Sequence, residues 1–164
     1  MSIDLLVVLR LVALLTVANG APVIAARVLG RHLSFALDGG LEFFDRRPLF
    51  GKSKTVRGIA ISILSSAVAA PALGFSWTIG AAVGAAAMAG DLVSSFIKRR
   101  LNLAPSSRAT GLDQIPESLF PLLACQSALA LSAMEVAACA AIFMAGEMLL
   151  SWPLYKAHIR DRPY

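Results

Sequence analysis

The sequence predicts an all-α, polytopic membrane protein of five transmembrane helices, N-terminus outside and C-terminus cytoplasmic. Three observations carry this. First, 57% of the 164 residues are hydrophobic and the mean hydropathy is +0.72, whereas a soluble domain is about half apolar. Second, the apolar residues fall in long, charge-poor blocks, and a membrane span needs about 20 such residues. Third, every Lys and Arg except Arg10 lies in or beside three polar segments: 30–57, 98–115 and the tail beginning at Tyr155. Positive loops stay on the cytoplasmic side. The three segments therefore share that side, and an outside N-terminus with an inside C-terminus requires an odd number of spans.

The elements follow in order. The first helix is predicted from Ile3 to Leu29, interrupted at Asn19, Gly20 and Pro22. Its start carries Asp4 and no Lys, and its cations follow the apolar run, which does not read as a signal peptide. The loop over 30–57 is too long for a simple helix connection. A second helix is predicted over Gly58–Leu73 and a third over Trp77–Ile97, the latter with Gly80, Gly84 and Gly90 among alanines. Small residues at this spacing let helices approach closely in lipid. After the second basic loop, Pro116 suits the first turn of a fourth helix. The stretch Pro116–Trp152 holds two short spans with a break near Ser132–Glu135. The whole chain, 1–164, thus reads as one membrane domain with cytoplasmic loops at about 30–57 and 98–115. Cys125 and Cys139 lie in apolar stretches and read as core residues. The net charge of +5 sits at the ends of apolar blocks. It marks topology and a surface for anionic head groups or nucleotides, and implies membrane lipids, not nucleic acid, as the surroundings.

Asp91 is the most informative residue, because an ionisable group within a span is costly and marks function by default. Asp91, Ser94, Ser95 and Lys98 recur at three- and four-residue spacing and share one helix face. A carboxylate, hydroxyls and an ammonium at the cytoplasmic end of a span suit a metal-bound phosphate. Asp113 and Glu117 flank the start of the fourth helix, where acids also favour the helix dipole. Gly51-Lys52-Ser53 mimics the end of a phosphate-binding P-loop, but Arg46 stands where the earlier Gly is required. Glu135 reads as an acid at an external turn, and Glu147 as the partner of a loop cation. His32 and His158 lack ligand spacing.

At these residues the sequence resembles the CDP-archaeol synthase family, relatives of CDP-diacylglycerol synthase. Three blocks carry the resemblance: Ala18-Asn19-Gly20-Ala21-Pro22; Asp45-Arg46-Arg47-Pro48-Leu49-Phe50-Gly51 with Lys54-Thr55-Val56-Arg57-Gly58; and Gly90-Asp91-Leu92-Val93-Ser94-Ser95-Phe96-Ile97-Lys98-Arg99-Arg100 with Leu112-Asp113-Gln114. The resemblance implies a membrane cytidylyltransferase that turns CTP and a lipid phosphate into a CDP-lipid and pyrophosphate, using Mg²⁺. It implies Asp91, Lys98 and Lys54 as catalytic groups. Asn19, Thr55, Arg57, Ser95 and Arg99, with the two lysines, would bind substrates, and Asp91, Asp113 and Glu117 the metal. Two positions depart from the family pattern. Pro116 stands where the family has a second acid, with Glu117 next to it, and Lys52-Ser53 stands where archaeal members have Asp-Gly. The lipid tail is not specified, and the oligomeric state, a homodimer included, stays open.

A CDP-alcohol phosphotransferase would need an acid-rich motif within one helix pair that this chain lacks. The alternative from another class, a non-catalytic membrane subunit or small transporter, would spread polar groups over several spans; here they collect at one edge. The charge asymmetry predicts that a cysteine introduced at position 53 or 107 stays unlabelled by an impermeant thiol reagent applied to intact cells. Strong labelling at either position would reverse the topology.

Overall fold

A computed structural model describes residues 3–30, 32–103 and 111–156, with 150–156 as backbone only. Five helices follow in order: α1 Leu5–Leu29, α2 Val56–Ala72, α3 Trp77–Arg100, α4 Gln114–Cys125 and α5 Ala133–Lys156. Among the described residues no strand forms; two isolated antiparallel bridges join Ala36 to Thr55 and Glu42 to Pro48. α1 and α3 are long and apolar enough to cross a membrane, and α2 is shorter. At 12 residues, α4 is only about 18 Å long. α3 is central, with α2 and α4 packed along it, while α1 packs on α2, α3 and α5. The core joins Val8, Leu11, Leu14 and Leu15 of α1 to Val83 and Ala87 of α3, Leu122 of α4 and Phe143 of α5. The exterior is apolar too: Leu5, Leu6, Leu9, Ile24 and Val28 of α1 and Leu64 and Val68 of α2 are exposed, as contact with lipid requires.

Two expected breaks differ from the structure. α1 is continuous through Asn19, Gly20 and Pro22. A proline inside a helix leaves the carbonyl four residues earlier without its partner. That carbonyl belongs to Ala18, and Ser62 of α2 donates its hydroxyl to it at 2.7 Å. Asn19 reinforces the helix by donating its amide to Leu15 O at 3.0 Å. The α4–α5 break falls earlier than expected, since α4 ends at Cys125 and Ser132 caps α5. Ser132 and Glu135 form a reciprocal capping box: Glu135 Oε2 accepts from Ser132 N at 2.9 Å, and Ser132 Oγ accepts from Glu135 N at 3.2 Å. Glu135 Oε1 also accepts from Asp4 N at 3.0 Å, joining the starts of α1 and α5 at one end of the bundle.

The α2–α3 register is set by backbone contact. A Cβ on Gly80 would lie 2.2 Å from Ser66 O, and one on Gly84 would lie 2.7 Å from Ser62 O. The helices are antiparallel, so the same register continued places Thr55, the N-cap of α2, level with Asp91. The rest of α3, to Arg100, projects past the start of α2 by about 13 Å.

The loop after α1 folds onto this projection. Its ladder includes Leu37 N to Lys54 O at 2.8 Å, Phe43 N to Arg47 O at 2.8 Å and Leu49 N to Leu41 O at 2.9 Å. Asp38, only 5% exposed, sits inside it. Its Oδ2 accepts from Phe50 N at 3.0 Å and Gly51 N at 2.9 Å, and its Oδ1 from Gly40 N at 3.0 Å. Burial opposes ionisation of Asp38, but the amides of Gly51, Phe50 and Gly40 outweigh it and hold the carboxyl below its ordinary value. Arg47 donates to the carbonyls of Arg99, at 3.4 Å, and Arg100. Arg100 returns the contact to Pro48 O at 2.7 Å and pairs with Asp45 at 3.0 Å. Its guanidinium lies 4.9 Å from the Phe43 ring centre and 4.6 Å from that of Phe96, a cation–π arrangement.

Gly80→Ala is expected to destabilise the folded protein by about 1–3 kcal/mol through overpacking. Gly20→Ala, with nothing within 4 Å of the added carbon, should be neutral or stabilising by up to about 1 kcal/mol. Thermal unfolding in detergent separates the two. Because the Asp38 carboxyl is held low, its stabilisation is complete above the unfolded value and is lost as pH falls through the lower folded one. Exchange protection of the Phe50 and Gly51 amides, corrected for intrinsic rates, should therefore survive to about pH 4 and fall below it, whereas Asp38→Asn should lack it at neutral pH.

Candidate active site

The site forms where α2, α3 and α4 come together. α3 brings Asp91, on the face it shares with Ser94 and Lys98. The loop brings Lys54, whose backbone precedes the α2 cap. Lys54 Nζ lies 2.6 Å from both carboxylate oxygens of Asp91, and the two side chains are 22% and 19% exposed. A charge-assisted contact at partial burial is stronger than a surface ion pair.

α4 enters over Gly90. A Cβ there would lie 2.2 Å from Pro116 O and 2.9 Å from Glu117 N, so only glycine admits this crossing. Leu112 O, four residues before Pro116, accepts from Ser94 Oγ at 2.8 Å. The crossing brings the Glu117 carboxyl next to that of Asp91, and Glu147 of α5 and Lys54 lie close enough to act on it. Two ionised carboxylates at such a distance would repel, and Lys54 supplies one compensating charge. Two turns along α3, Lys98 pairs with Asp113 at 2.7 Å. Lys98 and Arg99 are buried, at 7% and 6% exposure, and Gly51 packs near the Arg99 side chain.

The structure therefore brings Lys54, Asp91 and Glu117 together and sets the Lys98–Asp113 pair, with buried Arg99 and Ser95, beside them. Thr55 caps α2, accepting from Gly58 N at 3.1 Å. Arg57 is directed elsewhere: it donates to Gly30 O at 3.1 Å and to His32 O, closing the end of α1. Asn19 bonds within its own helix, and the contacts of Ala18 with Ser62 and of Ser62 with Gly84 place it deeper in the bundle than Asp91. Sequence reasoning gave Glu147 only a loop cation as partner, although an acid in an apolar helix was its signal. It missed Asp38 altogether, where the signal was an acid before paired glycines.

Chemically, these are ammonium groups resting on carboxylates. A polyanion can draw each lysine from its carboxylate and leave the carboxylate for a cation. Mg²⁺ takes hard oxygen donors, often one or two carboxylates plus substrate phosphates. The adjoining carboxyls of Asp91 and Glu117 fit that donor set, with Asp113 held by Lys98. Among the described residues no three of His, Cys, Asp and Glu are grouped as a metal site.

The family described as CarS-like CDP-archaeol synthase matches residues 3–164. The CDP-archaeol synthase of Pyrobaculum calidifontis is 39% identical over 112 residues, 65% of this chain and 66% of that protein. That of Hyperthermus butylicus is 39% identical over 107 residues, 60% and 59% of the two chains, and that of Pyrobaculum arsenaticum 37% over 127 residues, 73% and 74%. The chain thus spans less than two thirds of the length of the first two, 66% and 59%. A solved structure of an intramembrane enzyme for archaeal membrane lipids biosynthesis superposes with a TM-score of 0.70 at 28% identity, covering 86% of this chain and 90% of the other. With a match that runs along nearly its whole length, the chain belongs to the CarS-like CDP-archaeol synthase family.

Proposed function

We propose that the chain is a multi-pass membrane cytidylyltransferase that converts CTP and a lipid phosphate into a CDP-lipid and pyrophosphate. The observation that carries this reading is the Lys54–Asp91 pair with the Glu117 carboxyl against it, at the basic end of an apolar bundle. The names of its relatives favour an isoprenoid ether lipid as the second substrate. The site lies on the cytoplasmic side, where the basic segments belong. Five passes, with the N-terminus outside, follow from the same charge pattern, short α4 crossing as part of the bundle.

In the reaction, an oxygen of the lipid phosphate attacks the α-phosphorus of CTP. The new P–O bond forms as the bond to the bridging oxygen of pyrophosphate breaks. The attacking oxygen is already ionised, so no side chain is needed as general base. What the protein must do is hold two polyanions in line and neutralise them. Lys54 and Lys98 leave their carboxylates for phosphate oxygens, and Arg99 adds a fixed charge beside them. Asp91 and Glu117 would hold Mg²⁺, with Asp113 as a further candidate ligand; the ion supplies charge neutralisation on the triphosphate and on leaving pyrophosphate. The lipid chains lie between helices, with the head group at the cytoplasmic edge.

The test is incorporation of labelled CTP by purified protein offered phosphatidate or an isoprenoid ether phosphate in turn. Asp91→Asn should retain less than a tenth of wild-type activity while remaining folded, a loss of more than about 1.4 kcal/mol of transition-state stabilisation. Activity above that level would remove Asp91 from the metal. Glu117→Gln should require more Mg²⁺ for half-maximal turnover and recover partly at excess. An unchanged Mg²⁺ curve would make Glu117 a helix-terminus acid only.

A further inference from the structure

We infer that Lys54 makes this site select the dication–triphosphate complex as a unit and turn away the free dication. The inference rests on the cytidylyl-transfer reading above. Its basis is the position of the ammonium, equidistant at 2.6 Å from both oxygens of Asp91. It covers the face that a dication would use. Mg²⁺ binds carboxylate oxygen at about 2.0–2.1 Å, and two cations on the same pair of oxygens would repel strongly at such separations. A free dication must therefore displace Lys54.

Displacement alone is unfavourable. Lys54 is 22% exposed on its side chain, so an ammonium parted from Asp91 would lose its counter-ion without regaining full hydration. A dication that arrives on a triphosphate brings the replacement with it: phosphate oxygens accept the ammonium as it leaves, and no charge is left unpaired. Glu117 raises the contrast. Its carboxyl lies against Asp91, so without Lys54 the two acids would attract any small dication.

The side chain is the part free to make this exchange. The Lys54 backbone is held at both ends, its carbonyl accepting from Leu37 N at 2.8 Å and its amide donating to Gly51 O at 3.1 Å. The next residue, Thr55, is fixed as the cap of α2. By reciprocity, the dication tightens the nucleotide by the factor by which the nucleotide tightens the dication. Lys54 supplies part of that factor by weakening the free dication alone.

Two measurements on full-length protein in lipid nanodiscs test this. Mn²⁺ affinity without nucleotide is read from the loss of its free EPR signal, and CTP affinity from equilibrium dialysis with and without Mn²⁺. For Lys54→Gln, free Mn²⁺ is expected to bind at least about fivefold tighter than to wild type. The factor by which Mn²⁺ tightens CTP should fall by at least as much. Lys54→Arg keeps the charge and should exclude free Mn²⁺ as wild type does, and Asp91→Asn added to Lys54→Gln should abolish the gain. Unchanged or weaker Mn²⁺ binding in a folded Lys54→Gln protein overturns the inference alone. If no form takes up Mn²⁺ or CTP under any condition, the cytidylyl-transfer reading fails and the inference falls with it.

Discussion

The constraint on which the rest depends is backbone contact along α3. Gly80 and Gly84 let α2 come close on one side, and Gly90 lets α4 cross on the other. In lipid the hydrophobic effect does not hold helices together, so close packing and interhelical hydrogen bonds must. Both forces act at the same places here. Ser62 of α2 reaches the carbonyl that Pro22 leaves open in α1, and Ser94 of α3 reaches the carbonyl four residues before Pro116. Pro22 frees a polar group inside α1 that a serine of the neighbouring helix pairs, and Ser94 ties the start of α4 to α3. What reads in sequence as a break in α1 is a point of attachment between helices.

This arrangement also sorts the charges. The basic end of the bundle looks uniform in sequence, yet its cations do different things. Arg57 binds carbonyls at the end of α1, and Arg47 and Arg100 bind carbonyls between the loop and the end of α3. These contacts satisfy helix C-termini, where cations are also favoured by the dipole. Lys54 and Lys98 rest on carboxylates, as Arg100 also does on Asp45. Arg47, Arg57 and Arg100 thus fix the scaffold with forked guanidinium groups, while the ammonium groups of Lys54 and Lys98, with buried Arg99 beside them, stand at the candidate site.

Much of this was legible in the sequence. The start of α3 at Trp77 and the shared face of Asp91, Ser94 and Lys98 follow from composition and helical spacing alone, as does the small-residue face that packs on α2. The continuity of α1 was not legible, because it depends on Ser62, a residue of another helix. The order of the 30–57 loop was not legible either. Its key is Asp38, whose partners Phe50 and Gly51 are set by the fold of the loop and not by spacing. Arg57 and Asn19 belong to the motif blocks and read as substrate ligands, but helix ends and helix interiors compete for the same donors. Glu147 approaches Glu117 only because α5 packs on α4.

The glycine contacts carry a further consequence through the α2–α3 register. A slip of one helical turn would move Lys54 by about 5.4 Å relative to Asp91, far outside ion-pair reach. The charge pair therefore acts as a gauge of helix alignment. A chain whose apolar helices had inserted and met, but at the wrong height, would leave an ammonium and two carboxyls unmatched in a poorly hydrated place. Apolar faces in lipid slide past one another at little cost, and this pair makes one of their many near-equivalent alignments distinct.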